Sequence, residues 1–204
     1  MPVPSIDPAK WLKRVQSCAA PTVQLYCLAY AGGGASVYRP WKEGLPADIQ
    51  VNAVQLPGHE ERLMEPPIES ARAAGSALAE VIESDLTGPY ALFGYSMGAL
   101  VAFEAARELC RRGAPAPQHL FAAAMRAPQV PPTNANLHAL PEAEFLEEVG
   151  RRYEAVPAEV LAEPDLLALL LPTLRADMAV CDTYEFSEER SEEHTSELQS
   201  RSDR

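Results

Sequence analysis

The chain has 204 residues, 47% of them hydrophobic, with a formal net charge of −12 at neutral pH. That length suits one domain around one core, and the composition is globular rather than disordered. The acidic balance excludes non-specific nucleic-acid binding and docking onto anionic membrane, both of which need a basic surface, and no apolar run approaches the ~20 residues of a bilayer span.

In chain order, residues 1–22 read as a proline-punctuated lead-in lying on the domain, with one amphipathic stretch around Trp11-Leu12-Lys13-Arg14-Val15. No basic-then-apolar leader is visible, and Cys18, Cys27, Cys110 and Cys181 form no CxxC pair. The expectation is a reduced, cytoplasmic protein without a disulfide framework, metal site or cofactor.

Residues 23–29 are β-branched and apolar and end in Gly32-Gly33-Gly34, which predicts a strand running into a glycine loop. Residues 49–55 alternate as a second strand, stopped by Leu56-Pro57-Gly58-His59. Apolar positions at helical spacing predict a helix over 70–86, closed by Thr87-Gly88-Pro89. Residues 90–94 form a short strand buried on both faces, 99–112 a helix ended by Gly113, and 118–124 a further strand.

Strands alternating with helices imply a parallel sheet covered on both faces, an α/β core over residues 23–127. Residues 128–186 show no strand signal and carry proline-broken helical segments at 142–153, 158–161 and 165–186. Such a block reads as a helical lid over the carboxyl edge of the sheet, where sites of these folds lie.

The composition changes at Ser187, and residues 187–204 hold five serines, five glutamates and one aliphatic residue, Leu198. A disordered acidic tail is one reading. The other rests on the eleven residues 190–200, Arg-Ser-Glu-Glu-His-Thr-Ser-Glu-Leu-Gln-Ser, which look like a sequencing-adapter oligonucleotide translated in frame. The gene would then be cut near Glu189, and the tail would be non-native.

Gly94-Tyr95-Ser96-Met97-Gly98 is a G-x-S-x-G motif between a buried strand and a helix, the setting of a nucleophile elbow. The sharp turn projects Ser96 Oγ clear of the sheet, and the helix N-terminus behind it favours developing negative charge. A serine that only capped the helix would need neither glycine. Acyl transfer needs two N–H donors aimed at the tetrahedral oxygen; in this fold the residue after the nucleophile, Met97, supplies one. The glycine loop after the first strand supplies the other, assigned to Ala31. A phosphate cradle is the rival reading of that loop, but no Gly-Lys-Ser/Thr sequel follows.

Four motifs in order carry a resemblance: residues 28–35 around Ala31-Gly32-Gly33-Gly34; Arg39-Pro40-Trp41; residues 54–62 around Leu56-Pro57-Gly58-His59; and Gly94-Tyr95-Ser96-Met97-Gly98-Ala99. Together, from about Val23 to Phe186, they resemble the type II thioesterases that accompany polyketide synthases and non-ribosomal peptide synthetases. Tyr30 and His59 depart from the histidine and arginine more usual there. The resemblance implies an α/β-hydrolase fold with a helical lid. It also implies hydrolysis of acyl thioesters on the phosphopantetheine arms of acyl or peptidyl carrier domains, which would be the partners. Motif physics alone fits an oxygen-ester hydrolase equally well, and a non-catalytic carrier-binding fragment is a third reading.

In that family the triad carboxylate and histidine lie beyond the lid, after two further strands, so this chain is expected to lack both and to be nearly inert. Of the residues present, His59 reads as a loop contact, and His119 as a strand residue that packs or faces solvent. His138 sits at the start of the lid and His194 in the tail; Asp177 and Asp182 read as the solvated face of a lid helix. Sequencing the source gene across the codons for Tyr184 to Arg204 tests the tail. A frame that continues through a strand, an aspartate and a Gly-His pair is expected; a true stop after Arg204 would defeat the adapter reading.

Overall fold

The computed structural model describes residues 7–132, 136–153 and 163–188. The expected helix at 158–161 and nearly all of the tail lie outside the described residues. Five strands make one sheet in the order β1-β3-β2-β4-β5: β1 (Leu12–Gln16), β2 (Val23–Leu28), β3 (Ile49–Val54), β4 (Tyr90–Tyr95) and β5 (His119–Ala123). The helices are α1 (Pro8–Trp11), α2 (Ala71–Asp85), α3 (Met97–Arg111), α4 (Glu142–Tyr153) and α5 (Pro164–Asp182), with a 3₁₀ segment at Ala35–Glu43.

The sheet is mostly parallel, as expected, but mixed. The correction comes from the lead-in, because Leu12–Gln16 is a strand paired antiparallel to β3, with Leu12 opposite Val54. Its sequence hides this, since Lys13 and Arg14 suit a solvent-facing edge and only Leu12 is fully buried. Long-range bonds hold it there: Arg14 reaches Asn52 Oδ1 at 3.3 Å and Asp85 Oδ1 at 2.6 Å. Asp85 also accepts from the Tyr26 hydroxyl at 2.9 Å, so one carboxylate at the end of α2 fastens β1 and β2 to that helix.

Strand periodicity sorts the core. Tyr26, Leu28, Tyr90 and Leu92 face one cluster with Leu78, Ile82, Val101 and Leu109 of α2 and α3. Leu25, Cys27, Ala91 and partly buried Phe93 face the other, covered by Tyr38 and Trp41 of the 3₁₀ segment. Helix α5 joins the first cluster through Leu171, Leu174 and Met178. At the far edge, β5 leaves Phe121 half exposed.

Chain order sets where a site can form. β2 is followed by β3 on one side, while the neighbouring β4 is followed by β5 on the other. The connections leaving the carboxyl ends of β2 and β4 therefore diverge, opening the crevice where ligands of open α/β sheets bind.

The packing of α2 on α3 depends on Gly75, where a Cβ would come within 2.7 Å of Glu104 Cβ and 2.8 Å of the Ala105 backbone nitrogen. Gly75→Ala is expected to destabilise by about 1–3 kcal/mol despite its gain in helix propensity, because overpacking at a helix crossing moves backbone. A lower urea midpoint at unchanged slope would verify this, and an unchanged midpoint would contradict it.

Candidate active site

Ser96 stands between β4 and α3 with φ 53° and ψ −120°, a strained conformation for a residue with a Cβ. Its N–H donates to the Ala123 carbonyl at 2.8 Å, which ties the elbow to β5. Its hydroxyl does not cap the helix. Two close approaches enforce the turn. A Cβ on Gly94 would lie 2.5 Å from Ala99 Cα, and one on Gly98 would lie 2.6 Å from the Ala29 carbonyl oxygen. The first turn of α3 is thus pressed onto the end of β2, which brings the elbow beside the glycine loop.

That loop opens with a type II turn. Gly33 N–H donates to the Tyr30 carbonyl at 2.9 Å, and Gly32, third of the four residues, has φ +79°. The turn lies alongside the elbow, because Leu28 is in register with Gly94 and the Tyr30 and Tyr95 rings meet edge-on at 5.9 Å. Among the described residues the backbone N–H groups of Ala31 and Met97 have no protein acceptor. For Met97 this follows from its place at the helix start.

A buried ion pair sits next to the turn. Asp177 of α5 is 2% exposed and His59 4%. Asp177 Oδ2 accepts from the Gly32 N–H at 2.6 Å and pairs with His59 Nε2 at 2.9 Å, while His59 Nδ1 faces the Pro57 carbonyl at 3.1 Å. With an acceptor at each ring nitrogen, only the imidazolium satisfies both. Burial alone would pull the His59 pKa down. The hydrogen bond and charge of Asp177, helped by the Pro57 carbonyl, outweigh it and leave the pKa raised above the usual histidine value.

The neighbouring loop is braced as well. Gln55 holds the Ala35 N–H at 3.1 Å and the His59 carbonyl at 3.0 Å, and Thr173 Oγ1 of α5 donates to the Gly58 carbonyl at 2.8 Å. Between the glycine loop, this loop and α5 lies a cleft of about 400 Å³, walled by Tyr30, Gly34, Leu63, Leu170, Leu171 and Leu174. Ser96 is not among its walls; Tyr30, whose ring touches Tyr95, stands at the junction.

A family model described as a thioesterase domain matches residues 23–203. The chain belongs to the thioesterase family. Gramicidin S biosynthesis protein GrsT of Aneurinibacillus migulanus is 37% identical over 177 residues, covering 87% of this chain and 69% of GrsT. A protein named linear gramicidin dehydrogenase LgrE, from Brevibacillus parabrevis, is 40% identical over 187 residues, covering 90% of this chain and 71% of LgrE. Among solved structures, YbtT is described as a type II thioesterase from the yersiniabactin NRPS/PKS biosynthetic pathway. It superposes with a TM-score of 0.77 at 30% identity, covering 86% of this chain and 71% of YbtT.

This thioesterase thus spans about seven-tenths of the length of those relatives. The dehydrogenase in the name of LgrE has no counterpart here in a dinucleotide fingerprint. Counting G-x-G-x-x-G from Gly32 puts Val37 at the third glycine, and the loop opens into a 3₁₀ segment rather than an α-helix. Among the described residues no cluster of His, Cys, Asp or Glu could hold a metal ion, and no helix is long and apolar enough to cross a membrane.

The structure brings Ser96, Met97 and Ala31 to adjoining ends of β4 and β2. It corrects the reading of the two aspartates as a solvated face. Asp177 is buried on the His59 side, and the Asp182 side chain is 7% exposed, accepting from His138 N–H at 3.0 Å and pairing with His138 Nδ1 at 3.1 Å. His59 is a loop contact, as read, but one whose partner lies on α5. His119 is exposed. The signal overlooked in the sequence was the company Asp177 keeps, among Leu174, Ala176, Met178 and Ala179, all buried.

The sign of the pH dependence follows from the raised His59 pKa. The pair's contribution to stability is complete below the unfolded-state histidine pKa of about 6.5 and is lost as pH rises through the higher folded value. Urea midpoints between about pH 6 and about pH 9 should therefore fall more steeply in the wild type than in His59→Gln. Parallel profiles would show that the ring is not charged in the folded protein.

Proposed function

We propose that the whole gene product to which this chain belongs hydrolyses acyl groups held as thioesters on the phosphopantetheine arm of carrier domains in polyketide or non-ribosomal peptide biosynthesis. What chiefly supports the reading is the strained Ser96 elbow set beside a turn, with the Ala31 and Met97 N–H groups both lacking an acceptor among the described residues. Ser96 Oγ attacks the thioester carbonyl as its proton passes to a base. The Ala31 and Met97 N–H groups hold the oxyanion, and the thiolate leaves as the acyl-enzyme forms. Water then releases the acid. A thiol of pKa about 8.5 needs less acid assistance than an amine leaving group. His59 is unsuited to the base role, since both its ring nitrogens are engaged.

The apolar wall of Leu170, Leu171 and Leu174 suits an acyl chain, and on this reading the cleft receives it. The thiols of Cys18, Cys27, Cys110 and Cys181 are free, which fits a reduced cytoplasm, where the carriers would also reside.

The product of the source gene, read through to its stop codon, should hydrolyse an acyl-pantetheine thioester faster than the nitrophenyl ester of the same acid. Ser96→Ala should lower kcat by about a millionfold. Preference for the oxygen ester would mark a carboxylesterase instead. Carrier binding with no turnover of either substrate would mark a binding module.

A further inference from the structure

Acyl transfer at Ser96 does not by itself call for a buried carboxylate on α5. Yet Asp177, 2% exposed, gathers two donors from two different loops on one oxygen. One of them is the N–H of the Ala31–Gly32 peptide, the central peptide of the Tyr30–Gly33 turn. Such a peptide has two orientations, with φ positive or negative at the third residue. At Gly32 φ is +79°, and the N–H meets Asp177 Oδ2 at 2.6 Å.

A flipped peptide would turn its carbonyl toward the carboxylate and replace a charge-assisted hydrogen bond with repulsion. The flip rotates ψ of Ala31 and φ of Gly32 together and would release the loop from α5; held unflipped, the loop is pinned at the peptide next to the Tyr30–Ala31 amide that carries the Ala31 N–H. The carboxylate is itself held in place. His59 Nε2 pairs with the same oxygen at 2.9 Å, and the Pro57 carbonyl accepts from the other side of the ring at 3.1 Å.

We propose that Asp177, oriented by His59, is a positioning residue for the oxyanion hole, pinning the Ala31–Gly32 peptide and with it the adjoining Tyr30–Ala31 amide, so that the Ala31 N–H keeps its place beside the acyl group on Ser96. The inference rests on Ala31 being an oxyanion donor. It makes α5 part of the catalytic apparatus through the backbone of the glycine loop, in addition to its part in walling the cleft.

Two variants of the gene product reach the same peptide by independent routes. Asp177→Asn keeps the volume and removes the charge. Gly32→Ala leaves Asp177 and His59 in place and disfavours the positive φ. Each should lower kcat for an acyl-pantetheine thioester by about 10–100-fold with KM held within about threefold, below the full loss of an oxyanion donor at about 10²–10³. In ¹⁵N–¹H spectra the Gly32 amide proton, shifted downfield by its carboxylate partner, should move upfield in Asp177→Asn.

A lower melting temperature and a moved Gly32 amide with kcat unchanged would make Asp177 a structural tie only and overturn the proposal. Should Asp177→Asn fail to fold, Gly32→Ala decides, and unchanged kcat there overturns it equally. A wild type that turns over no thioester defeats the acyl-transfer reading and the inference with it. Activity lost in Ser96→Ala but kept in Asp177→Asn defeats the inference alone.

Discussion

The close approach of α3 to the end of β2 governs the rest of the molecule. Gly98 lies against the Leu28 and Ala29 carbonyls, and Gly94 lies under the first turn of the same helix. With no room for a Cβ at either place, the chain must reverse between Tyr95 and Met97, and that reversal puts Ser96 at φ 53°. The strain is sustained by what surrounds it: a buried strand before, a helix packed on α2 after, and the Ala123 carbonyl holding the Ser96 N–H. The same contact sets the elbow beside the turn after β2. Ser96, the N-terminus of α3 and the Ala31 N–H, which has no acceptor among the described residues, thus become neighbours through one packing constraint.

Around that centre the connections are polar and span the chain. Asp177 links α5 to the glycine loop and to His59, Thr173 links it to Gly58, and Gln55 bridges the two loops. A buried ion pair is weak support for stability, because taking both charges out of water offsets much of their attraction. Its use here is register. Directional bonds from one helix to two loops fix how α5 sits over the cleft more narrowly than contacts of Leu171 and Leu174 alone would.

Much of this was legible in the residues. The strands at β2, β3, β4 and β5 and the helices α2, α3 and α4 follow from apolar periodicity and glycine–proline punctuation, with boundaries within a residue or two. The Ser96 elbow was legible because its chemistry is local: two glycines, a strand before and a helix after, all within about twenty residues of chain. Strand β1 escaped notice because its residues carry the charge of an edge and it pairs with a strand some forty positions away, through Arg14 contacts that no local pattern encodes.

Sequence by itself therefore determined what short-range sterics and hydrophobic period can dictate: an alternating α/β core, a strained serine turn, and a loop whose glycines let backbone come close. Tertiary structure alone decided the environment of the charges. Asp177 on a lid helix reads as solvated until the helix is docked; its partners, Gly32 and His59, are 145 and 118 positions away. Burial raises the energy of an unpaired charge and gives value to a paired one, and burial is a property of the packed chain.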